Sequence, residues 1–82
     1  MIKLYSTTWC GDCWDAKQVL QQARVQFTEI DIDEDFEAAE FVRSVNRGMK
    51  SVPTIVFADG SMLTEPTYAE LKLKLSEQAR RA

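Results

Sequence analysis

Cys10 and Cys13 stand where a strand-like run gives way to a helical pattern, and this junction limits the folds open to the chain. Residues 2–6 form a short β-prone run that ends in a polar loop. Beyond the cysteines, the spacing i, i+3, i+4, i+7 predicts an amphipathic helix over residues 11–24. Its apolar positions are Ala16, Val19, Leu20 and Ala23.

The next two segments continue the alternation of strand and helix. Apolar and polar residues alternate with period two over residues 26–33, which predicts a second strand. Asp33 can cap a helix that runs from Glu34 to Asn46, where acids fill the first turn as the helix dipole prefers. Gly48 lies just beyond the expected end of this helix.

The last third of the chain predicts a hairpin and a helix. Apolar runs at 55–57 and 62–64 flank Asp59-Gly60, which is a strong short-range hairpin signal. Thr67 with Glu70 three residues later is a capping box, and it opens a final helix over 67–80.

The order β-α-β-α-β-β-α predicts an α/β fold with three helices on a four-stranded mixed sheet. The first βαβ unit makes its two strands parallel through a right-handed crossover. Eighty-two residues suffice for one core, so we expect a single domain over residues 1–82. Functional groups of such open sheets gather outside the carboxyl ends of the parallel strands, where the cysteine pair falls.

Composition removes several classes of function. The chain has no His, which excludes His general bases, Cys-His nucleophile systems and Cys₂His₂ zinc sites. A net charge of −3 gives no basic footprint for nucleic acid. No apolar run has the length of a membrane span or a signal peptide. We therefore expect a cytoplasmic monomer with no nucleic-acid or membrane partner, no bound cofactor and no metal.

The cysteine spacing favours thiol–disulfide exchange. This chemistry needs a thiolate, a second thiol that can reach the mixed disulfide, and access for a substrate sulfur. Cys10 at a helix start meets free N–H groups, which lower a Cys pKa into roughly the 3.5–7.5 range, so it is the expected nucleophile. Cys13, one turn later, is the expected resolving thiol. Gly11 leaves the approach open, whereas Asp12 opposes thiolate formation.

Two other interpretations of the cysteines stay open. Both could be buried filler, a common fate of free Cys in a cytosolic protein. Alternatively, two chains could share a zinc ion or an iron–sulfur cluster through four thiolates. A structural disulfide is disfavoured because it would close a very small loop.

Val52-Pro53 is the second candidate element. A Pro before a strand can be an ordinary edge or turn residue. Beside the cysteines, a cis Pro53 would instead leave the backbone of Val52 free to pair with a disulfide substrate. Trp9 is interpreted as an exposed face for substrate, while Trp14 fits packing or function equally well.

A run of basic residues leads into the Val52-Pro53 turn. Arg43, Arg47 and Lys50 could form a cationic cluster that attracts a carboxylate-bearing small thiol. Solubility alone would account for the same residues.

Taken together, these motifs resemble the glutaredoxin family, and among its branches they are most similar to the mycoredoxins. The likeness rests on Thr8-Trp9-Cys10-Gly11-Asp12-Cys13, Glu29-Ile30-Asp31-Ile32, Val52-Pro53-Thr54 and Phe57-Ala58-Asp59-Gly60-Ser61 with Leu63-Thr64 and Pro66. The resemblance implies a thioredoxin-like fold, a cis Pro53, and attack by Cys10 on a mixed disulfide between a protein and a low-molecular-weight thiol. A second small thiol would regenerate the protein, or Cys13 would act in a dithiol cycle.

The chain departs from glutathione-using members at three places. Those members carry Pro-aromatic between the cysteines, a Lys three residues before the first, and a Gly-Gly-x-Asp turn that holds the glutathione carboxylate. Here these places hold Gly11-Asp12, Thr7 and the turn Ala58-Asp59-Gly60-Ser61. By its place in the family pattern, the resemblance implies that Asp59, Gly60 and Ser61 contact the substrate. Because of the three departures, mycothiol or bacillithiol is at least as suitable as glutathione.

The leading hypothesis is therefore an oxidoreductase of the glutaredoxin or mycoredoxin type, with oxidised proteins and a low-molecular-weight thiol as its substrates. One alternative is a thioredoxin-like disulfide reductase that a flavoprotein recycles directly. Another is a cluster-binding module.

Overall fold

The structure, a computed structural model, describes residues 1–80, so the last two residues of the predicted 1–82 domain lie outside the described part. The elements are β1 (Ile2–Ser6), α1 (Gly11–Gln22), β2 (Phe27–Asp31), α2 (Phe36–Val45), β3 (Thr54–Val56), β4 (Met62–Thr64) and α3 (Tyr68–Arg80). The predicted order of strands and helices is confirmed.

The four strands form one mixed sheet in the order β2-β1-β3-β4. β1 and β2 are parallel, while β3 is antiparallel to both β1 and β4. Because side chains alternate across β1, Leu4 packs in one buried cluster with residues of α1 and α3. Tyr5 packs in a second cluster with residues of α2. The sheet therefore has a core on each face, and the predicted α/β class is confirmed.

The start of α2 differs from the prediction. Asp35, not Asp33, is the N-cap, and its carboxylate accepts the Ala38 N–H at 3.0 Å. Asp33 is engaged elsewhere, since its carboxylate accepts the indole N–H of Trp9 at 2.9 Å. Asp35 directly precedes Phe36, the first residue of α2, and so occupies the cap position.

The predicted hairpin and capping box are both present. Gly60 adopts φ +89°, which the turn between β3 and β4 requires and which side chains other than Gly rarely tolerate. At the start of α3, the Thr67 hydroxyl accepts the Glu70 N–H at 3.1 Å, and the Glu70 carboxylate accepts the Thr67 N–H at 2.7 Å. No helix within residues 1–80 is long and apolar enough to cross a bilayer.

Candidate active site

Cys10 is the N-cap of α1, beyond the carboxyl end of β1, one of the two inner strands of the sheet. Its backbone is extended, with φ −92° and ψ 110°, and its sulfur accepts the backbone N–H of Cys13 at 3.1 Å. The N–H groups of a first helical turn have no partner within the helix and attract negative charge. Cys10 Sγ thus occupies a cap position that oxygen side chains usually fill.

Cys13 lies one turn further along α1 and is almost sealed from solvent. Its exposed fraction is 1%, whereas Cys10 is half-buried, and both thiols are free. Burial raises the pKa of the Cys13 thiol to about 12, helped by its hydrogen bond to Cys10. Cys13 is therefore shielded from solvent and holds its proton, whereas Cys10 is accessible.

The Val52–Pro53 segment lies directly against Cys10. The Val52–Pro53 peptide bond is cis, as the resemblance implies. The Cys10 thiol donates to the Val52 carbonyl across 3.8 Å. The Pro53 carbonyl in turn accepts the Glu65 N–H at 2.8 Å, which holds the loop before α3 beside the same segment.

A shallow cleft of about 550 Å³ opens at Cys10. It brings together five of the residues predicted to bind substrate, namely Trp9, Gly11, Asp12, Lys50 and Val52. Pro53 is buried just behind Val52. A Cβ built on Gly11 would meet no atom within 4 Å, so the approach between the cysteines is open, as predicted.

Sequence reasoning missed three residues of this cleft, Met49, Ser51 and Glu65. Met49 is 64% exposed and adds a second apolar side chain to the cleft beside that of Trp9. Glu65 has φ +47°, a left-handed conformation that its sequence does not announce. The capping box after Pro66 predicts the start of a helix just beyond Glu65, but not the position of Glu65 beside the thiol.

The two tryptophans both face solvent. Trp9 is 73% exposed, so its predicted exposure is confirmed, and its ring is anchored at one edge by the hydrogen bond to Asp33. Trp14 is 62% exposed, which excludes the core-packing alternative.

The predicted cationic cluster is only partly assembled. Lys50 lines the cleft, but Arg47 does not. Arg43 is directed away, since its guanidinium pairs with Glu40 at 3.2 Å and donates to the Gly48 carbonyl. Asp12 and Glu65 also line the cleft, so acids outnumber bases there among the described residues.

The turn at Asp59, Gly60 and Ser61 is not part of this site, which corrects the role that the resemblance gave it. β3 starts beside Tyr5 and ends beside Lys3, so the turn that follows it lies at the opposite end of the sheet from Cys10. There the Asp59 carboxylate accepts both the hydroxyl and the N–H of Ser61, which holds the pKa of Asp59 well below its usual range. These contacts stabilise the hairpin.

Within residues 1–80, no group of three or more Cys, Asp and Glu side chains could hold a metal ion.

Comparisons with known proteins agree with this geometry. The sequence model described as glutaredoxin matches residues 2–62. A Mycobacterium tuberculosis H37Rv protein described as a glutaredoxin is 49% identical over 74 residues, covering 90% of this chain and 88% of that protein. Mycoredoxin 1 of Corynebacterium glutamicum is 37% identical over 78 residues, covering 95% of this chain and 96% of that protein.

Solved structures give the same result for the fold. The thioredoxin-like protein BC3987 superposes with a TM-score of 0.76 at 25% identity, covering 92% of this chain and 99% of that chain. The NrdH-redoxin of Escherichia coli superposes with a TM-score of 0.71 at 23% identity, covering 88% of this chain and 92% of that chain. The thioredoxin-like fold that the resemblance implies is confirmed.

Proposed function

The chain belongs to the glutaredoxin family of thiol oxidoreductases, and on that premise we propose that it reduces mixed disulfides between proteins and a low-molecular-weight thiol. The Cys10 thiolate attacks the small-thiol sulfur of the mixed disulfide. The disulfide bond breaks, the protein sulfur leaves and takes up a proton, and Cys10 becomes linked to the small thiol. A second small thiol then attacks this linkage, releases the symmetrical disulfide and restores Cys10.

The observation that carries the proposal is the contrast between the two sulfurs of α1. Cys10 is accessible, accepts a helix N–H at 3.1 Å and borders a cleft. The sulfur that caps the helix is therefore also the one that a substrate can reach. Cys13 has neither access nor an easily lost proton.

The charges of the cleft favour mycothiol as the small thiol. Two carboxylates, Asp12 and Glu65, line the cleft together with one ammonium, Lys50, so a thiol that carries two carboxylates meets net repulsion. Glutathione and bacillithiol each carry two carboxylates, whereas mycothiol is a sugar amide without one. Similarity to mycoredoxin 1 supports the same choice.

Two variants test the proposal against its main rival. Cys10→Ser should abolish reduction of a protein–mycothiol disulfide, while Cys13→Ser should keep substantial turnover because the second small thiol completes the cycle. Parallel assays with mixed disulfides of glutathione and bacillithiol would rank the small thiols. Full activity of Cys10→Ser would contradict the proposal.

A second candidate is a thioredoxin-like reductase of protein disulfides that a flavoprotein recycles. The observation in its favour is that the Cys13 thiol forms a hydrogen bond with the Cys10 sulfur, so an internal disulfide could form with little movement. In that cycle either Cys→Ser variant loses turnover, which separates it from the first.

A further inference from the structure

A groove leaves the Cys10 cleft and runs between α1 and α3. Its first part, a space of about 330 Å³, shares the lining residues Asp12 and Glu65 with the cleft. Its second part, of about 360 Å³, shares Val19 and Tyr68 with the first. We call the two parts together the α1–α3 groove. It adjoins the nucleophile's cleft and extends away from it along the surface.

One side of α1 lines the groove from end to end. The lining residues recur at helical spacing: Asp12, Asp15, Ala16, Val19, Gln22 and Ala23. From its cap at Cys10, the helix rises roughly 8 Å to Asp15 and roughly 14 Å to Val19. An extended chain covers these distances in about two and about four residues. The groove therefore has the length for an extended segment of about five residues.

The part of the groove next to the cleft is acidic. Asp12, Asp15 and Glu65 line it, and no Lys or Arg of residues 1–80 lines it with them. None of these three carboxylates forms an ion pair or a side-chain hydrogen bond within the described chain. By contrast, the Glu29 carboxylate is neutralised by Lys17 at 2.9 Å. Exposed carboxylates without a partner attract a cationic segment and repel an acidic one.

The far part of the groove is mainly apolar. Val19, Val25 and Leu75 line it, and the side chain of Tyr68, a residue that is 60% exposed, lies at the junction with the acidic part. Lys72 is the cation that lines it among residues 1–80, and its ammonium lies 5.1 Å from the centroid of the Tyr68 ring. This part can therefore cover an apolar side chain of a bound segment.

A second copy of this chain is a poor match for the acidic part. The chain carries a net charge of −3, so two copies that meet through this groove bring like charges together. A basic segment has the complementary charge. Continuity with the cleft further favours a segment that is attached to the disulfide at Cys10.

We propose that the α1–α3 groove receives the protein part of the mixed disulfide as an extended segment, with Lys or Arg about two to three residues from its cysteine and an apolar residue about five residues from it. The proposal rests on the proposed function and names the class of protein client. Cys10 still attacks the small-thiol sulfur, and the client sulfur leaves and takes up a proton. The client chain leaves the cleft past Asp12 and Glu65, which line both spaces.

The test uses peptides as clients. The parent peptide is Leu-Gly-Lys-Lys-Gly-Cys-Gly-Lys-Lys-Gly-Leu with blocked ends, joined to mycothiol through its cysteine. It reads the same in both directions, so either orientation in the groove presents the same residues. A second peptide has Glu in place of every Lys, and a third has Ser in place of both Leu. The release of free peptide thiol gives kcat/KM for each.

The wild type should prefer the parent peptide. At an ionic strength of about 0.01 M its kcat/KM should exceed that of the Glu peptide about tenfold, and at about 1 M, where charges are screened within about 3 Å, less than twofold. The Ser peptide should have a kcat/KM about fivefold below that of the parent, with little dependence on salt, because only apolar contact is lost.

Asp15→Lys and Glu77→Lys separate the groove from the charge of the whole protein. Both change the net charge equally, but Glu77 lies about two and a half turns after Tyr68, on the opposite side of α3. Asp15→Lys should lower the preference for the Lys peptide over the Glu peptide about fourfold, and Glu77→Lys less than about 1.5-fold. Because this preference compares two substrates of one enzyme, it cancels any effect of the variant on the Cys10 thiolate.

Three results would overturn the proposal. Equal preferences in Asp15→Lys and Glu77→Lys would be one, and equal kcat/KM for the parent and Ser peptides would be another. The third is a wild-type dimer in light scattering that Asp15→Lys dissociates, which would assign the groove to a second copy of the chain. None of them touches turnover of the mixed disulfide of mycothiol with 2-mercaptoethanol, which carries no peptide. Failure of the wild type to turn over that small disulfide would instead reject the proposed function, and the role of the groove with it.

Discussion

Cys10 and Cys13 belong to the same turn of α1, but their sulfurs meet different surroundings. Cys10 is the cap residue, faces the cleft and accepts an N–H at 3.1 Å. Cys13 is 1% exposed and packs with Tyr5 and residues of α2. Because both residues are cysteines, the difference in their exposure and contacts comes from their positions, one at the cap and the other within the first turn. The position of a cysteine relative to the helix end can therefore give two identical side chains different roles.

The largest expected difference is in alkylation. In reduced protein at pH 7, iodoacetamide should modify Cys10 at least about 100-fold faster than Cys13, since thiolate fraction and access set the rate. Peptide mapping by mass spectrometry measures both rates. In urea-unfolded protein the rates should agree within about threefold. Comparable alkylation rates for Cys10 and Cys13 in the folded protein would contradict the difference in access between the two sulfurs.

Alkaline pH should cost stability through Cys13. The unfolded chain loses this proton near the ordinary pKa of 9.0, whereas the folded chain keeps it to about 12, so folding loses free energy as pH rises above 9. At pH 10 the loss is about 1.4 kcal/mol. Urea unfolding of the reduced wild type and of Cys13→Ser at pH 7 and 10 measures it. The Ser variant should lack this part of the decrease, and equal decreases would contradict the raised pKa.

The charged side chains in the cleft beside the Cys10 sulfur should have a moderate effect on the KM for substrate. Lys50→Gln should raise the KM for a protein–glutathione disulfide about threefold, and Glu65→Gln should lower it about threefold, because exposed charges act weakly through solvent. The KM for a protein–mycothiol disulfide should change little. If both substrates respond alike, the cleft does not discriminate by charge.

The smallest effect is expected at the far end of the sheet. Asp59→Asn changes a charge of the β3–β4 turn, remote from both sulfurs. Turnover and KM should equal those of the wild type with either substrate. A change comparable to that of Lys50→Gln would return this turn to the substrate site.

Much of the fold and of the candidate site could be predicted from local sequence patterns. The β-prone run of β1, the apolar spacing in α1 and the Thr67–Glu70 box are each set by neighbours in sequence, so they could be predicted. The Cys-x-x-Cys spacing at the start of α1 likewise indicated both thiols.

The remainder depends on contacts between distant segments. The position of the Asp59–Ser61 turn follows from the antiparallel pairing of β3 with β1, which the hairpin signal does not specify. The Asp33 carboxylate binds the indole of Trp9, 24 residues away in sequence. The left-handed Glu65 is held by its bond to Pro53, twelve residues away in sequence. Patterns among neighbouring residues in sequence cannot identify these distant partners.

The empty space around Gly11 makes this position a convenient handle for protein engineering. As the first residue of α1, Gly11 occupies the place where helices most readily accept proline, whose missing N–H would not be used within the helix. A side chain added there would project into solvent between the sulfurs. The chemistry of the loop can therefore be retuned without repacking the protein beneath it.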